Sequence, residues 1–237
     1  MSEGNRAQWV CATLDVDGGE RLVGPSTSLV SMGVAAKNKL WEPGTELKVR
    51  FLEGTDALHA RVMEAARSWL VDGVRLNLVK AKSGEKAQLR IAFDASDGSW
   101  SYVGTDALGI RQTQPTMNLG WATLQTPKED FWSVVIHEFG HALGLLHEHN
   151  HPEARIQWSR PAVYADLEGP PNEWTKQQVD DNVFAKFDAS EVITTNFDKA
   201  SVMIYTIPSN WTTDGKSFMP SWKLSAGDEL TIKKLYA

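Results

Sequence analysis

Cysteine is nearly missing from this chain of 237 residues: Cys11 stands alone, so no intrachain disulfide can form and the core must hold the fold unaided. Long apolar runs are missing too, and none approaches the roughly 20 residues needed to cross a bilayer. The opening MSEGNRAQWV has no apolar signal-peptide core. That leaves an intracellular protein, an export signal outside this chain, or another export route. Basic residues are in deficit, 24 Lys and Arg against 30 Asp and Glu, and they form no run. A formal net charge of −6 argues against nucleic acid or an anionic membrane as partner. What remains is an ordinary globular composition, 42% hydrophobic and 23% charged, with length for one domain or two lobes sharing a cleft. Ten tryptophans serve either core packing or the lining of a groove.

Residues 1–40 are rich in Gly, Ser and acids and read as an extension; Trp41-Glu42-Pro43-Gly44 marks a turn before regular structure. Leu47, Val49 and Phe51 alternate with Lys48 and Arg50, the period of a half-buried strand. Over 56–70 the spacing becomes helical, with Leu58, Val62, Ala65, Ala66 and Trp69 on one face and Thr55 or Asp56 as cap. Leu76–Val79 and Leu89–Phe93 read as further strands, so the order predicts a mixed sheet with helices packed on it. The pieces within 99–124, broken by Gly and Pro, suit a sheet edge better than a centre. The pattern predicts a helix over 126–143, with Thr126 as N-cap, Pro127 in the first turn, Glu129 completing a capping box and Gly144 as the stop. After 150 regular structure thins out, apart from helices expected at 176–187 behind Thr175 and at 226–235 behind Ser225.

The best helix carries His137-Glu138-Phe139-Gly140-His141, followed by Gly144 and His147. Two histidines four apart on a helix project to the same side, one turn apart, as gripping one Zn²⁺ requires. Glu138 adjoins the first ligand without competing for the metal, and Gly144 lets the chain bend and return His147 as a third ligand. Three neutral protein ligands leave a coordination position open, the mark of catalytic zinc. A bare HExxH arises often by chance; the five fixed positions of HExxHxxGxxH reduce random matches in such a chain to on the order of one in ten thousand.

That longer motif is the zinc signature of metzincin metallopeptidases. Glu148 after the third histidine, and Ser201-Val202-Met203-Ile204-Tyr205 as a Met-turn, are similar to the astacin family. Gly98–Gly104 resembles the astacin strand at the cleft's upper rim, and the ending from Leu224 to Tyr236 resembles the family's C-terminus. The resemblance covers about residues 41–237. It departs where astacins carry disulfide cysteines, with Ser99 at one such position and Ala237 at another, and after His149, where Asn-His-Pro-Glu-Ala-Arg replaces the arginine- and aspartate-rich run. A divergent, disulfide-free, microbial-type branch is implied, and animal-type specificity is not.

The resemblance implies an α+β fold of the zincin type. An N-terminal lobe of mixed sheet and two helices (41–147) and a more irregular C-terminal lobe (148–237) would flank a zinc cleft in one catalytic domain. It implies a zinc endopeptidase holding one catalytic Zn²⁺ on His137, His141 and His147, with Glu138 as general base on the metal's water. Tyr205 would donate its phenol to the oxyanion, and Ser201 and Met203 would form the turn beneath the metal. Trp100, Ser101, Tyr102, Val103 and Gly104 would bind substrate backbone as an added strand, so the partner is an extended peptide or unfolded protein. A monomer is expected, either exported or, given the lone cysteine, cytoplasmic. His149 and His151 are cleft rim or surface, or extend the metal cluster. Glu148 either meets the mature N-terminus, as in astacins, or is a plain surface acid. Cys11 has two readings, a small buried thiol or a latency ligand on the open metal position; Asp15 or Asp17 could play the same part. The alternatives to an active peptidase are a non-catalytic module stapled by zinc and a zymogen held latent by 1–40.

Overall fold

The computed structural model describes residues 12–14, 35–170, 172–188, 190, 192–193 and 196–237. Among these, six strands form one mixed sheet. They are β1 (Ala12–Leu14), β3 (Glu46–Phe51), β4 (Asn77–Lys80), β5 (Leu89–Ala92), β6 (Ser99–Tyr102) and β7 (Met117–Leu119). The spatial order is β1-β6-β7-β5-β3-β4, with every neighbouring pair parallel except β6 and β7. A two-stranded antiparallel ribbon pairs β2 (Ala35–Ala36) with β8 (Val192–Ile193). The α+β expectation is met, and no described helix is long and apolar enough to cross a membrane.

The alternation in β3 places Leu47 and Val49 in the core as the sequence predicts. Behind it α1 (Asp56–Ala66) begins at Thr55, whose side chain accepts from the Leu58 N–H, and turns into a short 3-10 segment ending at Trp69. The Trp69 indole donates to Ile136 O at 2.9 Å, which anchors α1 to α2 (Lys128–Ala142). Strand β5 departs from a two-faced pattern. It lies between β7 and β3, and its one charged residue, Arg90, is fully buried. The guanidinium lies in a cage of carbonyls from Gln114, Ala87, Gln88, Ala107 and Ile110. The 99–124 region is not an edge as expected: among the described residues β6 lies between β1 and β7, and β7 between β6 and β5, so the edges are β1 and β4.

The expected capping box at the start of α2 does not form. Helix α2 begins at Lys128 with Pro127 at the cap position, because the Thr126 hydroxyl is engaged in the preceding turn, donating to Trp121 O and accepting from Thr123 N–H. The C-terminus behaves as predicted. Gly144 takes φ +90°, its N–H reaches His141 O, and the Leu145 N–H reaches Gly140 O, a Schellman stop that turns the chain sharply.

The C-terminal half holds a helix the sequence reading passed over, α3 (Arg160–Glu168), which starts behind Ser159 with Pro161 in its first turn. Helix α4 (Lys176–Val179) has the predicted Thr175–Gln178 capping box but continues only as one π-helical turn to Phe184, so Phe187 falls outside it. Helix α5 (Ala226–Tyr236) has the predicted Ser225–Asp228 box. Three separate clusters result among the described residues, the smallest formed by Ala36, Val103, Leu146 and Val192. Val163, Leu167, Val179, Val183 and Trp211 belong to the second, whereas Met203 of the Met-turn and Ile232, Leu235 and Tyr236 of α5 join the main core around the sheet. The chain's end therefore packs back on the first lobe, with the Tyr236 hydroxyl donating to Leu143 O at 2.7 Å beside the end of α2. Ala35 and Ala36, from the stretch read as an extension, are also buried, Ala35 in the main core and Ala36 against Val103, Leu146 and Val192.

Candidate metal centre

Helix α2 presents His137 and His141 on one face, and the turn at Gly144 returns His147 to them. Their Nε2 atoms lie 3.2 Å (His137 to His141) and 3.1 Å (His141 to His147) apart. Among the described residues these three form the metal-ligating cluster, with ligand atoms all within 4.8 Å of one another. The Nδ1 of His137 lies 2.8 Å from Val202 O, and that of His141 lies 2.9 Å from Leu145 O. A carbonyl only accepts, so each Nδ1 carries the proton and each Nε2 presents a lone pair. Two lone pairs 3.2 Å apart repel unless a cation lies between them. Nitrogens each about 2.05 Å from a tetrahedral zinc are about 3.3 Å apart, so the donor set fits that ion. Burial lowers the His137 pKa to about 4 and those of His141 and His147 well below the ordinary value, keeping all three neutral, the ligating form.

Several contacts hold this arrangement. The Met-turn supplies Val202 O to His137, and Met203 O accepts from the Glu148 N–H at 2.9 Å, tying the third-histidine segment to the same turn. The Ser201 hydroxyl donates to Asp228 at 2.6 Å, and Val202 N–H donates to the same carboxylate at 3.0 Å. Met203 sits under α2 against Gly140, where a Cβ would collide with its sulfur. Glu148 is buried, not a surface acid; burial first, then Asp228 and Asp198, raises its pKa to about 8, although the Asp198 N–H donates to it at 2.7 Å.

Tyr205 is buried with its ring 4.2 Å from His147 and 4.1 Å from His149. His149 does not extend the cluster. Its Nε2 donates to Asn182 O at 3.0 Å, and burial lowers its pKa to about 3 in spite of that bond. His151 accepts at Nδ1 from Glu153 N–H and is not a ligand either. A cleft beside the metal centre is lined by His137, Glu138 and Tyr205, with Trp121 and Trp222 on its walls. Tryptophan therefore serves both uses, since Trp69 and Trp211 are core. Trp100–Gly104 lies in strand β6 and the turn after it, with Gly104 held against the Lys39 backbone, and none of the five lines this cleft. Cys11, Asp15 and Asp17 lie outside the described residues.

Residues 33–236 match the family model described as Astacin (peptidase family M12A). The chain belongs to the astacin family. Astacins are zinc metalloendopeptidases, and the three-histidine cluster accounts for the family's catalytic zinc. Among solved structures, "Structure of myroilysin" matches with a TM-score of 0.81 and 37% identity, over 86% of this chain and 98% of that one. "Crystal structure of myroilysin" matches with a TM-score of 0.68 and 33% identity, over 96% of this chain and 90% of that one. High choriolytic enzyme 1, a hatching enzyme zinc-protease from Oryzias latipes (medaka fish), shares the fold at a TM-score of 0.58 and 16% identity, over 87% of this chain and 98% of that one. No curated protein matches. Sequence reasoning found the astacin ligands, but not the Val202 and Leu145 carbonyls that orient them or the carboxylate of Asp228 behind the Met-turn. Backbone acceptors leave no mark in a sequence. Asp228 was visible as a helix cap and within the C-terminal stretch that resembles the family's, but not as a partner of the Met-turn.

Proposed function

We propose that this astacin hydrolyses peptide bonds in extended or unfolded protein segments, with Glu138 as general base. The observation that carries the reading is the pair of converging Nε2 lone pairs on His137 and His141, in a cleft that Glu138 and Tyr205 also line. Zinc bound there supplies a Lewis acid that polarises a carbonyl and makes water acidic at neutral pH. Glu138, next in sequence to a ligand, takes one proton as a water oxygen bonds to the peptide carbon. It returns that proton to the nitrogen as the C–N bond breaks, a role worth about 10²–10⁴-fold. Tyr205, packed on His147, donates its hydroxyl to the oxyanion that develops. Ser201 and Met203 hold the turn that aims His137. A substrate backbone pairs with the rim strand at Trp100–Tyr102 and continues past Val103 and Gly104.

One feature favours a latent form of the same enzyme. Ala12–Leu14 pairs in parallel with Trp100–Tyr102, along the edge that an added substrate strand would use. The segment before Ala35 then acts as a prosegment, and Cys11, which immediately precedes β1, is its candidate latency ligand. Cleavage of an unfolded protein, stopped by a chelator and restored by zinc, tests the activity before and after limited proteolysis of this segment. Trimming and Cys11→Ser should both raise the rate. Glu138→Ala should abolish turnover with zinc content unchanged. A trimmed, zinc-loaded chain that cleaves nothing would leave a non-catalytic binding module.

A further inference from the structure

Tyr205 packs on two imidazoles at once. Its ring centroid is 4.2 Å from that of His147, at an interplanar angle of 63°, and 4.1 Å from that of His149, at 34°. The two histidine rings are themselves 5.3 Å apart, so the three form one triangle. His147 is a metal ligand and His149 is not, yet His149 is fully buried. Met203, two residues before Tyr205, belongs to the main core, whereas Tyr205 belongs to the second cluster with Val183, Phe184 and Trp211. The chain crosses between the lobes over those two residues. The phenol is therefore placed by side chains of the C-terminal lobe, and the Met-turn alone does not fix it.

His149 is in turn held by the end of the π-helical turn Asp180–Phe184. Carbonyls in the last turn of a helix have no partner within it. The His149 Nε2–H donates to one of them, Asn182 O, at 3.0 Å. Asn150 donates through its side-chain amide to Ala185 O at 2.8 Å, and Lys186 Nζ donates to the carbonyls of His149 and His151 at 3.0 and 3.2 Å. Ring and backbone of residue 149 are thus both tied to one short segment. The other ring nitrogen, Nδ1, is buried with no partner among the described residues. Since Nε2 carries the proton, Nδ1 is an unmet acceptor, and such a group costs stability when buried. A phenyl ring would fill the same space without that cost, and Asn182, only partly buried, can meet water instead. Packing alone does not account for an imidazole here. Its tether does, because a ring pinned at Nε2 presents a fixed face to Tyr205.

We propose that His149 is a positioning residue for Tyr205, holding the phenol where its hydroxyl meets the developing oxyanion. His149 transfers no proton in this role. The inference rests on the peptidase reading, and the test separates the two. The zinc-loaded chain, after limited proteolysis of its N-terminal segment, is assayed on one peptide as the native protein, His149→Ala, Tyr205→Phe and the double variant. His149→Ala should lower kcat by on the order of tenfold, as about 1.4 kcal/mol of lost placement gives, with KM and zinc affinity little changed. In the Tyr205→Phe background the same substitution should lower kcat by less than about twofold, because the hydroxyl it aims is gone. A residue with only a structural role would give equal losses in both. Should His149→Ala not fold, His149→Phe, which keeps a ring without the tether, completes the cycle with a smaller loss. Without turnover, a phosphinic peptide, whose tetrahedral oxygens mimic the oxyanion, should bind His149→Ala about tenfold more weakly. The corresponding amide peptide should bind Glu138→Ala equally well with and without His149→Ala. Equal losses in both backgrounds, a native kcat in His149→Ala, or a loss that tracks zinc affinity overturns the inference and leaves the peptidase reading standing. A native kcat in Tyr205→Phe does the same. If the trimmed, zinc-loaded enzyme cleaves nothing, both fall.

Discussion

Asp228→Ala tests how the Met-turn is held. In the native protein the buried carboxylate accepts from Ser201 Oγ at 2.6 Å, from Val202 N at 3.0 Å and from Ser225 N at 2.9 Å. The Ser225 N–H is only partly buried and water can replace its partner. The Val202 N–H and Ser201 hydroxyl are buried, and leaving such a group without a partner costs about 1–3 kcal/mol each. Relief of the carboxylate's own desolvation, which raises its pKa, returns part of that. The net loss is then about 2–4 kcal/mol, or a fall in Tm of about 5–15 °C for a domain of this size. The damage is not confined to stability, because Val202 also offers its carbonyl to His137 Nδ1. Loosening such an outer partner costs about 10–100-fold in metal affinity. Thermal melts of metal-free protein and a zinc competition titration measure the two effects separately. Asp228→Asn, which keeps an acceptor and the volume, should fall in between. It should also flatten the pH dependence of stability. A carboxyl whose pKa is raised by folding loses stability as pH climbs from its unfolded toward its folded value. A D228A protein with native Tm and native zinc affinity would refute the argument.

Three further outcomes follow from the packing. Gly140→Ala should destabilise the protein by about 1–2 kcal/mol although alanine is the better helix former, because the new methyl meets the Met203 sulfur and lies 3.0 Å from Trp69 Cζ2; denaturant melts that show a gain would disprove the close approach. Arg90→Lys should lower Tm nearly as much as Arg90→Met, since an ammonium cannot reproduce a planar fork that reaches five carbonyls. A lysine variant that melts like the native protein would contradict that account. If Tyr205 acts as proposed, by donating its hydroxyl to the oxyanion, Tyr205→Phe should lower kcat with little change in KM; a pure KM effect would assign the ring to substrate binding instead.

Local chemistry was legible wherever neighbours along the chain complete the interaction. Thr55, Thr175 with Gln178, and Ser225 with Asp228 cap the helices they precede, and Gly144 ends α2, because each of these contacts spans only a few residues. The cap at Thr126 failed because an equally local competitor won: its hydroxyl donates to Trp121 O and accepts from Thr123 N–H in the preceding turn. Arg90 reads as a solvent-facing residue until β7 and the loops around it enclose it.

By itself the sequence determined the three metal-binding imidazoles, their helical phase and the turn that brings the third to the first two. Those depend on helix geometry and on one glycine with positive φ. Only the tertiary structure decided which nitrogen of each ring faces the metal, since that depends on carbonyls such as Val202, 65 residues from His137. It alone joined α5 to the Met-turn through Asp228, brought Trp121 and Trp222 to the cleft that His137 and Glu138 line, and laid Ala12–Leu14 along β6. Contacts between distant segments are chosen by shape and by the pairing of buried polar groups, and neither has a period that can be read along the chain.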